Sequence, residues 1–283
     1  MATFFNQATL SYNGNVVNSN ITSGEILEVL SMTKTAVSPN YSAGGNVTYV
    51  ISIVNSGTTP YAGLTLTDNL GAYPFGAQTL TPLTYVDGSI RYFVNGTPQP
   101  APAVTAGPPL SITGITVPAG GNVTLVYEAD VNAFALLGEQ DSIVNEAILS
   151  GGGITPVTAT ETVTPNGAPL LSISKSVSPT VVAENGQITY TFIVQNQGNT
   201  PAEATDNVII TDTFDPILSG LTVTVNGAPI AENTGYTYNE ATGEFATQPG
   251  VITVDAATYV QDAATGTVII TPGVTVITVT GTV

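Results

Sequence analysis

Only two side chains in this 283-residue sequence carry a primary amine, Lys34 and Lys175. Each ends a matching tetrad, Ser31-Met32-Thr33-Lys34 and Ser172-Ile173-Ser174-Lys175, and each is followed by Ser-Pro, at Pro39 and Pro179. In an extended strand alternate side chains share a face. Lys34 then travels with Leu30 and Met32, and Lys175 with Leu171, Ile173 and Val177. Both amines are expected to point inward, where a lysine is rare unless paired. The same phase argument puts four more polar residues on apolar faces. Asp68 is in step with Leu64, Leu66 and Leu70; Asp212 with Val208, Ile210 and Phe214. Asn145 is in step with Ile143, Ala147 and Leu149; Asn6 with Phe4, Ala8 and Leu10.

A buried amine, a carboxamide and a carboxylic acid are the parts of an isopeptide bond. Burial disfavours both charged forms, lowering a lysine pKa and raising that of an aspartate. The neutral amine then attacks the asparagine carbonyl carbon, the acid relays protons and ammonia leaves. A folded core supplies the effective concentration. The expected sets are Lys34 with Asn145 and Asp68, and Lys175 with Asp212 and Asn6. Glu146, next to Asn145, falls on the opposite face and is a poor relay. The plain alternative is a buried Lys–Asp ion pair with each asparagine merely hydrogen-bonded.

Composition excludes most other chemistry. There is no His and no Cys, which removes thiolate and Ser-His catalysis and the usual zinc and iron–sulfur sites. Twenty acidic residues against three basic ones give a net charge of −17. Such a chain cannot neutralise a phosphate backbone and is repelled by an anionic membrane. No apolar run approaches the ~20 residues of a membrane span. Asp255 and Asp262 sit near each other in sequence, but no D-x-D-x-D-G calcium loop appears. No metal, cofactor, nucleic acid or membrane insertion is expected.

The elements that must carry these residues are strands. Runs such as YVISIVN, LTLTDNL, VTLVYEADV, ITYTFIVQN, NVIITDTF and VTVITVTGTV are rich in Val, Ile, Thr and Tyr and are punctuated by Gly, Pro and Asn. No segment keeps a helical period. The runs recur in order: Val47-Thr48-Tyr49 to Asn55-Ser56-Gly57 matches Ile188-Thr189-Tyr190 to Asn196-Gln197-Gly198, and Val94-Asn95-Gly96 matches Val225-Asn226-Gly227. The succession K-x-x-x-S-P, G-x-x-x-T-Y-x-x-x-x-x-N-x-G and T-D-x-L/F, with the first two spacings one residue shorter in the second copy, resembles the immunoglobulin-like bacterial and archaeal surface-repeat domain known as domain of unknown function number eleven. Two copies cover nearly the whole chain. The resemblance implies β-sandwiches with a structural or adhesive role, and no catalytic activity. Gram-positive pilins and adhesins of similar architecture make isopeptide bonds.

The expected fold is all-β, two tandem Ig-like antiparallel sandwiches over 30–165 and 166–283, the second lacking its closing hairpin. Residues 143–163 form that hairpin in the first copy. The second copy has no equivalent, yet Phe5-Asn6-Gln7-Ala8-Thr9-Leu10-Ser11 aligns with Val144-Asn145-Glu146-Ala147-Ile148-Leu149-Ser150. Residues 1–29 thus read as the missing hairpin, with Phe4, Asn6, Ala8 and Leu10 on its inward face. It folds back within the chain, or it completes the second domain of a neighbouring copy by strand addition. The second arrangement is head-to-tail and open-ended, which builds filaments. The sequence also shows no recognisable signal peptide. These features point to a structural subunit of an extracellular filament on a cell or spore surface, whose partner is itself. The rival reading is a monomeric adhesin or stalk module that binds carbohydrate or host protein through its loops.

Overall fold

The computed structural model of the chain describes residues 2–26 and 28–283. It is all-β, and no α-helix occurs among the described residues. The chain divides into two compact units. The first comprises Met1–Pro39, Gly44–Asn132 and Ile143–Val163; the second comprises Asn40–Ala43, Ala133–Ser142 and Thr164–Val283. The stretches 40–43 and 133–142, expected inside the first sandwich, therefore group with the second. A local reason is visible in the parallel pairing of Asn40 and Tyr41 with Thr164 and Pro165.

The first sandwich has two sheets. One runs Thr97–Gln99, Arg91–Val94, Asn122–Val131, Asn46–Asn55, Leu30–Ala36. The other runs Ala103–Thr105, Leu110–Val117, Tyr61–Asp68, Ile143–Gly151, Val157–Pro165. Alternation places Tyr49, Ile51 and Ile53 of one sheet and Leu64, Leu66, Leu110 and Ile112 of the other in the core, all fully buried. Asp68 is central in its sheet, with Leu110 opposite it on one side and Ala147 on the other.

In the second unit, one sheet runs Leu171–Ser178, Gln187–Asn196, Gly273–Thr282, Ser219–Val225, Ala228–Ile230. Facing it is a sheet of only three strands, Thr211–Thr213, Glu244–Thr247 and Tyr236–Asn239. The Asp212 strand is thus an edge: it pairs with Glu244–Thr247, and no described strand pairs with its other side. The long strand expected over NVIITDTF is reduced to these three residues. A strand bonded on one side only loses half of its ladder. The core of this unit is nonetheless well formed around Phe192, Phe214, Phe245, Ile277 and Val279.

The recurring Val-Asn-Gly triplets are tight hairpin turns. Asn95-Gly96 and Asn226-Gly227 all have positive φ, as a type I′ turn demands. Each asparagine then accepts a backbone N–H with its Oδ1, from Asn122 and Val276 respectively. Asn13-Gly14 makes the same turn in the N-terminal hairpin.

That hairpin is built of Ala2–Asn6 with Thr22–Ile26 and Thr9–Tyr12 with Asn15–Asn18. The expected single donor strand is interrupted at Gln7-Ala8. Pairing passes from Asn6↔Thr22 to Thr9↔Asn18, leaving one more residue on the returning strand than on the outgoing one, a bulge. Phe4 lies over Gly24, where a Cβ would approach the Phe4 ring to 2.5 Å. Phe4, Phe5, Leu10, Tyr12, Val16, Val17 and Ile21 are all exposed, Phe5 by 70%. A lone two-stranded ribbon is marginal in water, and this one leaves its apolar side chains exposed.

Candidate isopeptide sites

The first site is assembled from both sheets of the first sandwich. Lys34 projects inward from Leu30–Ala36, whose burial alternates as the phase argument requires. Its Nζ donates to Asp68 Oδ2 at 2.6 Å, and both side chains are fully shielded from solvent. The amine also lies 4.7 Å from the centre of the Tyr49 ring. Asp68 accepts two further hydrogen bonds, from the Tyr127 hydroxyl on Oδ2 and from Leu70 N on Oδ1 at 2.9 Å. Burial drives the Lys34 pKa down to about 8, against the attraction of Asp68. At that value roughly a tenth of this amine is neutral at pH 7, far more than for a free lysine, and the neutral form is what a nucleophile needs.

Asn145 is fully buried two residues from Ala147, the cross-strand neighbour of Asp68. Its Oδ1 accepts the Gly71 N–H at 3.2 Å. An attack on Asn145 Cγ would place negative charge on that oxygen, beside the Gly71 N–H, which is shared with Asn69 Oδ1 at 2.9 Å. The turn that aims it is strained: Leu70 has φ of +54° and Gly71 of +73°. Glycine is needed at 71 also because a Cβ there would come within 2.4 Å of Ile143 Cγ2. Asn145 Nδ2 and the Tyr49 hydroxyl are buried with no hydrogen-bond partner among the described residues. Burial raises the pKa of both Tyr49 and Tyr127, and the Asn145 carboxamide acts on both phenols in the opposite sense. The amide nitrogen thus shares a buried cluster with the two hydroxyls and closes no bond to either.

The second site repeats the first pair and leaves it uncovered. Lys175 Nζ contacts Asp212 Oδ2, but the two side chains are 40% and 16% exposed. Every residue of Leu171–Ser178 is exposed, so the expected burial of Lys175 does not hold in the single chain. The cause is the open edge beside Asp212, the place that Ile143–Gly151 and Val157–Pro165 occupy in the first sandwich. The amine instead sits over aromatic rings, 4.4 Å from the centre of Tyr190 and 5.5 Å from those of Phe192 and Phe214. Asn6 is exposed on the hairpin, hydrogen-bonded there through its backbone to Thr22, and joins neither cluster.

Of the residues singled out from sequence, Lys34, Asp68 and Asn145 come together, as do Lys175 and Asp212. Tyr49, Tyr127 and Gly71 were missed. Tyr49 belongs to the repeated T-Y motif, and Tyr127 shares the strand phase of Leu125 and Ala129; both read as ordinary core aromatics. Asp255 and Asp262 form no metal cluster: no group of three potential ligands occurs among the described residues.

No family model matches the chain, and no curated protein matches it. The resemblance to the surface-repeat domain rests on its motifs alone. Among solved structures, the chain is similar to the pilus backbone RrgB of Streptococcus pneumoniae, at 12% identity and a TM-score of 0.35 over 86% of this chain and 55% of that one. It is also similar to BcpA, the major pilin subunit of Bacillus cereus, at 12% identity and a TM-score of 0.33 over 95% and 73% of the two chains. A third is the type II cohesin dyad from the ScaA scaffoldin of Acetivibrio cellulolyticus, at 11% identity and a TM-score of 0.29 over 89% and 85%. The chain thus spans about half the length of the pilus backbone it matches. Likenesses this distant carry no weight for assembly or chemistry. No helix among the described residues is long and apolar enough to cross a membrane.

Proposed function

We propose that the chain is the repeating subunit of a self-assembling extracellular filament. The N-terminal hairpin of one copy completes the second sandwich of the next, adding strands to the open edge beside Asp212. Isopeptide bonds lock the assembly: Lys34 to Asn145 within the first sandwich, and Lys175 to Asn6 across the junction, with Asp68 and Asp212 as proton relays. The partner is a further copy of the chain. The surface that carries the filament is that of a cell or spore. The chain acts on itself, and on no external substrate.

One observation carries this reading: two matched lysine–aspartate pairs, one sealed by a hairpin and one bare where that hairpin belongs. The exposed hairpin at residues 2–26 bears an asparagine at the position that Asn145 holds in the sealing hairpin. The deciding experiment is denaturing electrophoresis of boiled protein with intact mass of each band. A ladder is expected, collapsing to monomer in Asn6→Ala and in Lys175→Ala. A monomer lighter by two ammonias, with no ladder, would mean that the hairpin folds back on its own chain. A monomer of unmodified mass would overturn the covalent chemistry.

A further inference from the structure

Resting on the isopeptide reading of the first site, the geometry points to Tyr127 as a second proton carrier, delivering the proton with which Asn145 Nδ2 leaves as ammonia. Asp68 alone is poorly placed for that delivery. Its Oδ1 is taken by the Leu70 amide and its Oδ2 by Lys34 and Tyr127. No hydrogen bond joins either carboxylate oxygen to Asn145. Asn145 Nδ2 is instead buried without a hydrogen-bond partner, in the same cluster as the two phenols. Tyr49 has no hydrogen bond to Asp68 and cannot be resupplied with a proton. Tyr127 is bonded to the same carboxylate oxygen as the attacking amine, so it bridges nucleophile and leaving group.

The protons balance along this path. The Nζ proton first crosses the 2.6 Å contact to Asp68 Oδ2, leaving a neutral amine and a protonated acid. The Nζ–Cγ bond forms, and the negative charge settles on Oδ1 beside the Gly71 amide. The carbonyl then reforms and the Cγ–Nδ2 bond breaks. Nδ2 takes the phenolic proton of Tyr127, and Tyr127 takes the proton held by Asp68. Asp68 in turn takes one of the two protons on Nζ. The products are the Lys34–Asn145 amide and ammonia, with Tyr127 restored and Asp68 left protonated. In the second sandwich the position matching Tyr127 is Val279: Tyr49 pairs with Tyr127 across its sheet, and Tyr190 pairs with Val279. The junction site has no such carrier, so its cross-link forms more slowly.

The test uses the full chain carrying Asn6→Ala, which confines reaction to the first site, followed by intact mass from minutes after synthesis. The parent is expected to become one ammonia lighter. Tyr127→Phe, which removes only the hydroxyl, should slow that loss by about a hundredfold, the lower end of what a positioned acid contributes. Tyr85→Phe, which removes the hydroxyl of a buried tyrosine hydrogen-bonded to no member of this cluster, should leave it close to the parent. Loss of ammonia at the parent rate in a folded Tyr127→Phe chain would overturn the proposal while leaving the isopeptide reading intact. A parent that never loses ammonia would overturn both. Should Tyr127→Phe fail to melt cooperatively, incorporation of 3-fluorotyrosine keeps shape and hydroxyl and changes only acidity; an unchanged rate would then refute proton carriage by a phenol.

Discussion

The two sandwiches present one lysine–aspartate pair in two environments. In the first, Lys34 and Asp68 lie at zero exposure under a hairpin, with a phenol, a backbone amide and a carboxamide gathered around them. In the second, Lys175 and Asp212 keep the ion pair and lose the cover. The difference is not in the lysine strand, which pairs with its neighbour in the same register: Lys34 opposite Ile51, Lys175 opposite Phe192. It lies in the neighbour that the aspartate strand lacks. What differs between the two sites is the cover over the charge pair, and not the pair itself.

The sharpest break in that comparison is removal of the cover. Deleting residues 1–29 should abolish the multimer ladder on denaturing gels and leave the first-site mass loss untouched. Asn145→Ala should do the reverse, keeping the ladder and cancelling that loss.

Next in size is the effect of removing the acid. Asp68→Ala strands a buried ammonium and should cost about 3–5 kcal/mol in urea unfolding of an unlinked Asn145→Ala background. Asp212→Ala in the free subunit should cost about 0–1 kcal/mol, since its partner is open to water. Equal losses would break the contrast.

Acidity sharpens it further. In the Asn145→Ala background Lys34 persists with its pKa depressed to about 8 from 10.5. Between those values the unfolded chain binds more protons than the folded one, so stability rises with pH through that window. The gain is on the order of 3 kcal/mol at full span. It is cut short near pH 10, where the tyrosines of the unfolded chain ionise while the buried Tyr49 and Tyr127 resist. Urea midpoints from pH 7 to 10 check the sign; a flat or falling profile contradicts it.

The smallest expected effects are those where the sandwiches agree. Asn55 and Asn196, the asparagines of the repeated N-x-G motif, are buried and pin matching loops. Asn55 Nδ2 donates to Thr59 O and Pro118 O, and Asn196 Nδ2 to Thr200 O and Asp255 O. Each Oδ1 accepts the glycine N–H two residues on. Alanine at either position should cost about 1–3 kcal/mol, alike in both domains.

The pattern of legibility follows from what alternation reports. A period of two tells which face a residue takes, so Lys34, Asp68 and Asn145 could be sorted inward from the letters alone. It does not tell whether a face is covered. Lys175 has the same phase as Lys34 and is open to water, because covering depends on a strand far away in sequence or on another chain. Asn-Gly turns are local and were legible for that reason. Tyr127 was hidden in the opposite way: on an apolar phase an aromatic reads as packing, and only its hydroxyl, meeting Asp68 from the facing sheet, gives it a chemical role. The bulge opposite Gln7-Ala8, at residues 19–21, left no trace in the alignment of Asn6 with Asn145, since it falls on the returning strand.

The closed first site also has a mechanical side. Lys34 stands on the first strand of its sandwich and Asn145 near its last. Once they are joined, tension entering from the hairpin leaves through the amide, and the 110 residues from 35 to 144 sit in a covalent loop outside the load path. At roughly 3.3 Å per residue, that loop stores about 360 Å of contour length which no pull can draw out. Each first sandwich in the filament would behave as an inextensible link.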